Sequence, residues 1–104
     1  MYTEISTDEL RSKLEQGDKL YLIDVREPDE WEGGHIAEAV NFPLSQLPVK
    51  LGELTTKGEE PYIIICRSGN RSSRACEYLA AQGFEVVNVK GGMLNWNGSV
   101  VEGE

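Results

Sequence analysis

Cys66 closes the apolar run "YIIIC", and three of the chain's ten basic residues, Arg67, Arg71 and Arg74, stand just behind it. A thiol, a short polar turn containing glycine and a group of guanidinium side chains are the parts of a nucleophilic anion site. A free thiol titrates near ~8.5, and a helix N-terminus or an adjacent guanidinium lowers that value. Cys66 is therefore expected to be a thiolate nucleophile at neutral pH. In "CRSGNRS", Gly69 permits backbone conformations closed to other residues, so the loop can curl until the N–H groups of residues 67–72 point inward. With the positive end of the following helix they form an anion cradle floored by Cys66 Sγ. Arg67 and Arg71 suit multidentate hydrogen bonding to an anion, and Ser68, Gly69, Asn70 and Ser72 complete the candidate binding loop. Arg71 could instead pair with a carboxylate, and Arg74 reads as a solvated helix residue.

Loop length bears on the choice of anion. Four residues separate Cys66 from Arg71, a C-x4-R spacing, whereas cysteine-dependent phosphatases carry C-x5-R to wrap a tetrahedral phosphate. The shorter loop suits a smaller bound group, such as one extra sulfur on the cysteine. Phosphatase or arsenate reductase chemistry stays as an alternative, as does a peroxide-sensing thiol, because exposed thiolates also oxidise. Cys76 lies inside the next helix with Leu79 and Ala80 at helical spacing and reads as a core residue. Two cysteines and the single His35 make no metal-binding set, so no metal is expected.

The elements that must position Cys66 can be read along the chain. Ser6 and Glu9 make a capping box, with Ile5 and Leu10 placed for a hydrophobic staple, so a helix is predicted from about Thr7 to Gln16, stopped by Gly17. "LYLIDV" is a short strand, "EPDEWEGG" a helical turn opened by Pro28, and "AVNF" a brief second strand. Leu44, Leu47, Leu51 and Leu54 recur at helical intervals between prolines and the next strand. "YIIIC" reads as a strand buried on both faces, Ser72 to Gln82 as a helix ended by Gly83, "FEVVNV" as a strand and "GGMLNW" as a closing helical turn. The tail "GSVVEGE" reads as frayed. Asp24 and Arg26 follow a strand at the sheet edge where Cys66 falls; that position would let them border the pocket, but the favoured reading is a hydrogen-bonded scaffold that holds neighbouring loops.

Strands alternating with helices in one chain of 104 residues predict a single α/β domain, its ordered core spanning about residues 3–98, built on a central, mainly parallel sheet. In such sheets ligands bind beyond the carboxyl ends of the strands. Eighteen acidic against ten basic residues, a net charge of −8, argue against nucleic acid or an anionic membrane as partner. The N-terminal residues lack a signal-peptide pattern, and no apolar run approaches membrane-spanning length, so a cytoplasmic location is expected.

Three segments, "LIDVREPDEWEGGHIAEAVNFPL", "YIIICRSGNRSSRACEYLAAQGF" and "VKGGMLNW", together resemble the single-domain rhodanese family across almost the whole chain. The shared features are the D-V-R-E strand end, the G-H-I turn, the six-residue loop beginning with cysteine and the G-G-x-x-x-W closing motif. Many relatives have Pro-Gly after the His-Ile pair, where this chain has Ala37-Glu38. The resemblance implies a three-layer rhodanese-like fold and a thiosulfate sulfurtransferase-like enzyme that carries sulfane sulfur on Cys66 as a persulfide, without a cofactor. The implied partners are a small anionic sulfur donor, with thiosulfate the family default, and a thiol or cyanide acceptor, including a thiol-carrying protein. A non-catalytic rhodanese module that binds or regulates a partner is the alternative within the family. In that setting Asp24 is expected to be part of the scaffold.

Overall fold

The computed structural model describes residues 2–18, 20–50, 52 and 61–103. Five strands, β1 (Thr3–Ile5), β2 (Tyr21–Asp24), β3 (Val40–Asn41), β4 (Tyr62–Ile65) and β5 (Val86–Val89), form one sheet in the order β1-β5-β4-β2-β3, and every pairing is parallel. Between them run α1 (Thr7–Glu15), α2 (Pro28–Glu32), a 3-10 turn at Leu44–Gln46 leading into α3 (Leu47–Lys50), and α4 (Asn70–Ala81). A second 3-10 turn covers Gly92–Asn95.

Both faces of the central strand are covered, which is why "YIIIC" is apolar throughout. Tyr62, Ile64 and Cys66 pack with Ala75, Cys76 and Leu79 of α4 on one side. Ile63 and Ile65 pack with Leu10 of α1, Leu22, Ile36 and Val89 on the other. Side chains alternate across a strand, so this pattern places Cys66 on the α4 face. Ile64 and Ile65 are fully buried, and each contributes about 1.5–3 kcal/mol by leaving water. The three layers and the parallel sheet agree with the sequence reading.

Several local expectations also agree. The Ser6–Glu9 capping box is formed in both directions, and Pro28 opens α2. Of the four leucines read as helical, Leu44 and Leu47 lie in the 3-10 turn and α3, while Leu51 and Leu54 fall outside the described residues.

Three features differ from the sequence reading. First, β1 has no counterpart there: it is three residues long with two exposed, too short to show alternation, and is fixed by pairing Glu4 with Asn88 and Ile5 with Val89 of β5. Second, α4 begins at Asn70 rather than Ser72. Gly69, in the left-handed region at φ 103°, turns the chain straight into the helix, so Ser72 lies buried inside the first turn. Third, the tail is not frayed. His35 and Val101 exchange two backbone hydrogen bonds of 2.8 Å, and Gly103 N–H donates to Glu32 O. These are main-chain bonds, which leave no trace in the side-chain pattern.

Candidate active site

The carboxyl end of β4 delivers Cys66 directly beneath the first turn of α4. The thiol is fully buried, at the floor of the loop rather than on its rim, so a reactant has to reach down to it. Gly69 N–H donates to Sγ at 3.0 Å, and the backbone N–H groups of Ser68 and Ser72 favour its anion. In the thiol form Sγ donates to Ser72 Oγ at 3.3 Å. Burial pushes the Cys66 thiol up, but once Sγ is a thiolate and the Ser72 hydroxyl turns to donate to it, that bond, with the backbone N–H groups of Ser72, Gly69 and Ser68, outweighs burial and holds the group below its ordinary value. Cys76, buried in α4 without such donors, is pushed up to about 12 by desolvation and by the nearby Glu4 and Cys66 charges. The two thiols are thus shifted in opposite directions by their surroundings.

The closing 3-10 turn explains how the loop is held open. Met93 N–H donates to Cys66 O and Leu94 N–H to Arg67 O, at 2.8 and 2.9 Å. Gly92, at φ 56°, lies so close that a Cβ would strike Cys66 O and the Arg67 carbonyl. With those two carbonyls tied outward, the following N–H groups turn inward to the sulfur.

The arginines separate into distinct roles. Arg67 is exposed and lines a cleft of about 330 Å³ beside the loop, together with Asp29, Glu30 and Leu94. Arg71 is half-buried and makes a two-pronged ion pair with Glu30 of α2, Nη1 to Oε1 at 2.6 Å and Nη2 to Oε2 at 2.8 Å. The Arg71 hydrogen bonds hold the Glu30 carboxyl down at about 2. Arg71 is therefore occupied by a carboxylate, the other use its chemistry allows. Ser68 and Asn70 are exposed on the loop, and Arg74 is exposed on α4.

Arg26 lines the same cleft as Arg67, while Asp24 serves as scaffold. They form a buried ion pair, Arg26 Nε and Nη2 on the two Asp24 oxygens at 3.0 and 2.8 Å, and Nη2 also donates to Gly34 O. Asn41 Nδ2 ties the Asp24 and Arg26 carbonyls together. The group joins the end of β2 to the G-H-I turn. His35 stacks on Trp31 at 3.5 Å and its Nδ1–H donates to Trp31 O, so it packs rather than facing Cys66.

Three residues around the thiol escaped sequence reasoning. Glu30 looked like one acid among several in "EPDEWEGG". Asn88 accepts the Ser72 hydroxyl at 2.5 Å, and its Nδ2 donates to Glu4 Oε2 at 3.0 Å. The one signal for these was Asn88 itself, a lone amide in the apolar strand "VVNV".

The rhodanese-like domain family profile matches residues 6–99. The chain is 50% identical over 95 residues to the Bacillus subtilis protein YtwF, covering 91% of this chain and 90% of that one. It is 35% identical over 97 residues to a sulfurtransferase of Allochromatium vinosum, covering 92% and 89%. The structure superposes on the crystal structure of a rhodanese-like domain protein from Staphylococcus aureus with a TM-score of 0.86 at 36% identity, over 98% of this chain and 99% of that one. Among the described residues no helix is long and apolar enough to cross a membrane.

Proposed function

The chain belongs to the rhodanese-like domain family, and on that premise we propose that it is a sulfurtransferase whose Cys66 carries sulfane sulfur as a persulfide. The observation that carries the reading is Cys66 Sγ at the floor of a cradle of backbone N–H groups at the start of α4, its thiol held below the ordinary value. A lowered thiol at a helix start is a nucleophile, and a concave set of donors stabilises an anionic sulfur placed above it.

Two displacements complete the reaction. The Cys66 thiolate attacks the outer sulfur of thiosulfate or a related donor; the Sγ–S bond forms, the donor's S–S bond breaks, and sulfite departs with the electron pair. Arg67, the exposed loop cation, attracts the donor's anionic end. The terminal persulfide sulfur then sits among the loop N–H groups until cyanide or a thiol attacks it, forming the product bond and returning the electron pair to Sγ as thiolate. The acceptor in the cell is a thiol, on a small molecule or on a carrier protein. Neither step requires a metal or an organic cofactor. The short C-x4-R loop, with Arg71 engaged by Glu30, favours this chemistry over phosphate ester hydrolysis.

Intact mass after brief incubation with thiosulfate, then with cyanide, tests the proposal. Wild type gains one sulfur atom and loses it to cyanide as thiocyanate, while a folded Cys66→Ser variant gains none. Sulfur loading that survives in Cys66→Ser would refute the assignment.

A further inference from the structure

The buried hydrogen bonds behind Cys66 run in one direction, and that direction follows from their far end. Glu4, on the exposed edge strand β1, is the register partner of Asn88 on β5, and its carboxylate can only accept. The Asn88 amide must therefore turn Nδ2 toward Glu4, which leaves Oδ1 facing the buried Ser72. Oδ1 can also only accept, so the single Ser72 hydroxyl hydrogen is committed to it. What Ser72 then presents to Sγ is a lone pair, which suits the S–H of a thiol, in agreement with Sγ donating to Ser72 Oγ, and repels a thiolate.

We propose that Glu4 and Asn88 are positioning residues that set the proton affinity of Cys66 by fixing which way the Ser72 hydroxyl points. When the thiol loses its proton to bulk water, the hydroxyl turns to donate to Sγ, the Asn88 amide turns to donate to Ser72 Oγ, and Glu4, bound at the exposed edge, lets go. No proton passes through the chain, since an amide oxygen is far too weak a base. Glu4 thus biases the site toward thiol, against the backbone N–H groups that bias it toward thiolate. Such a bias limits idle oxidation, which follows thiolate character, while the turned chain supplies a donor when the thiolate is needed.

The other charged or titratable groups facing Sγ are Arg71, in turn facing Glu30 and Glu27, and Cys76, which also feels Glu4 and Glu77. A through-space effect of the Glu4 charge must therefore be separated from an effect through the chain. The inference rests on Cys66 as the reactive thiol of the proposed enzyme but not on sulfur transfer, because alkylation reads the thiol whether or not a persulfide forms.

The test is the pH dependence of iodoacetamide alkylation in a double-mutant cycle. Glu4 is exposed, and Tyr2 remains bonded to Ser73 of α4, so Glu4→Ala leaves the edge strand anchored. Glu4→Ala is expected to move the alkylation midpoint down by about half a unit to one unit, giving about three- to tenfold more thiolate below the midpoint. In a Ser72→Ala background, where the chain no longer touches Sγ, the same change should move nothing. Asn88→Val cuts the chain at its middle, is compatible with a strand, and gives the same readout should Ser72→Ala not fold. A midpoint that stays fixed or rises in Glu4→Ala, or an equal fall with and without the chain, overturns the inference. Failure of sulfur loading with these midpoints as expected would count against the sulfurtransferase reading alone.

Discussion

Glu30→Gln isolates the effect of the carboxylate on Arg71. Glutamine keeps the size of the side chain and can still bond Glu27 N–H as Glu30 does at the start of α2, so the helix end is preserved while the charge goes. Two unit charges at about 4 Å attract by about 4 kcal/mol at an effective dielectric of ~20. Arg71 and Glu30 side chains are 31% and 29% exposed, and solvent screening brings the net value of such a pair to about 1 kcal/mol. Freed of that competitor, Arg71 becomes available to a dianionic donor, and the KM for thiosulfate is expected to fall roughly fivefold with little change in kcat. Steady-state thiocyanate formation with cyanide in excess measures both constants. A KM that is unchanged or higher would refute the reasoning, because it would mean that the pair aligns Arg71 for the donor rather than withholding it. Stability gives a second readout. Glu30 is held at about 2 against 4.5 for the ordinary group, so its contribution is present above pH 4.5 and is lost as pH falls toward 2. At neutral pH the variant should melt about 4–8 °C lower than wild type, and the gap should close through that acid window.

Two further outcomes follow from the loop. Gly92→Ala forces a Cβ into the Cys66 and Arg67 carbonyls at a positive φ, so it should lower stability by about 1–3 kcal/mol and abolish sulfur loading; thermal melting and intact mass check this, and a variant as stable and active as wild type would count against the packing described. Because Cys76 is pushed up to about 12, iodoacetamide at neutral pH should label the folded chain once, at Cys66. A second label under native conditions, located by peptide mass analysis, would contradict the burial of Cys76.

The amino-acid sequence determined the candidate nucleophile and its general position. A thiol ending an apolar strand, a glycine in the turn behind it and a four-residue spacing to arginine are all local, and local features survive reading in one dimension. So did the layered α/β fold, because the burial of "YIIIC" on both faces requires helices on both sides. The tertiary structure decided what the polar groups around the thiol are paired with. Arg71 meets Glu30 across 41 positions of chain, and Asn88 meets Glu4 across 84. No periodicity encodes such partners, since they are set by strand order and by the register of an edge strand that has no apolar pattern of its own. The tail behaves in the same way: its hold on His35 is made by backbone groups that every residue carries. The sequence therefore names the candidate nucleophile, while the partners of the polar groups around it are residues which only the folded sheet brings within hydrogen-bonding distance.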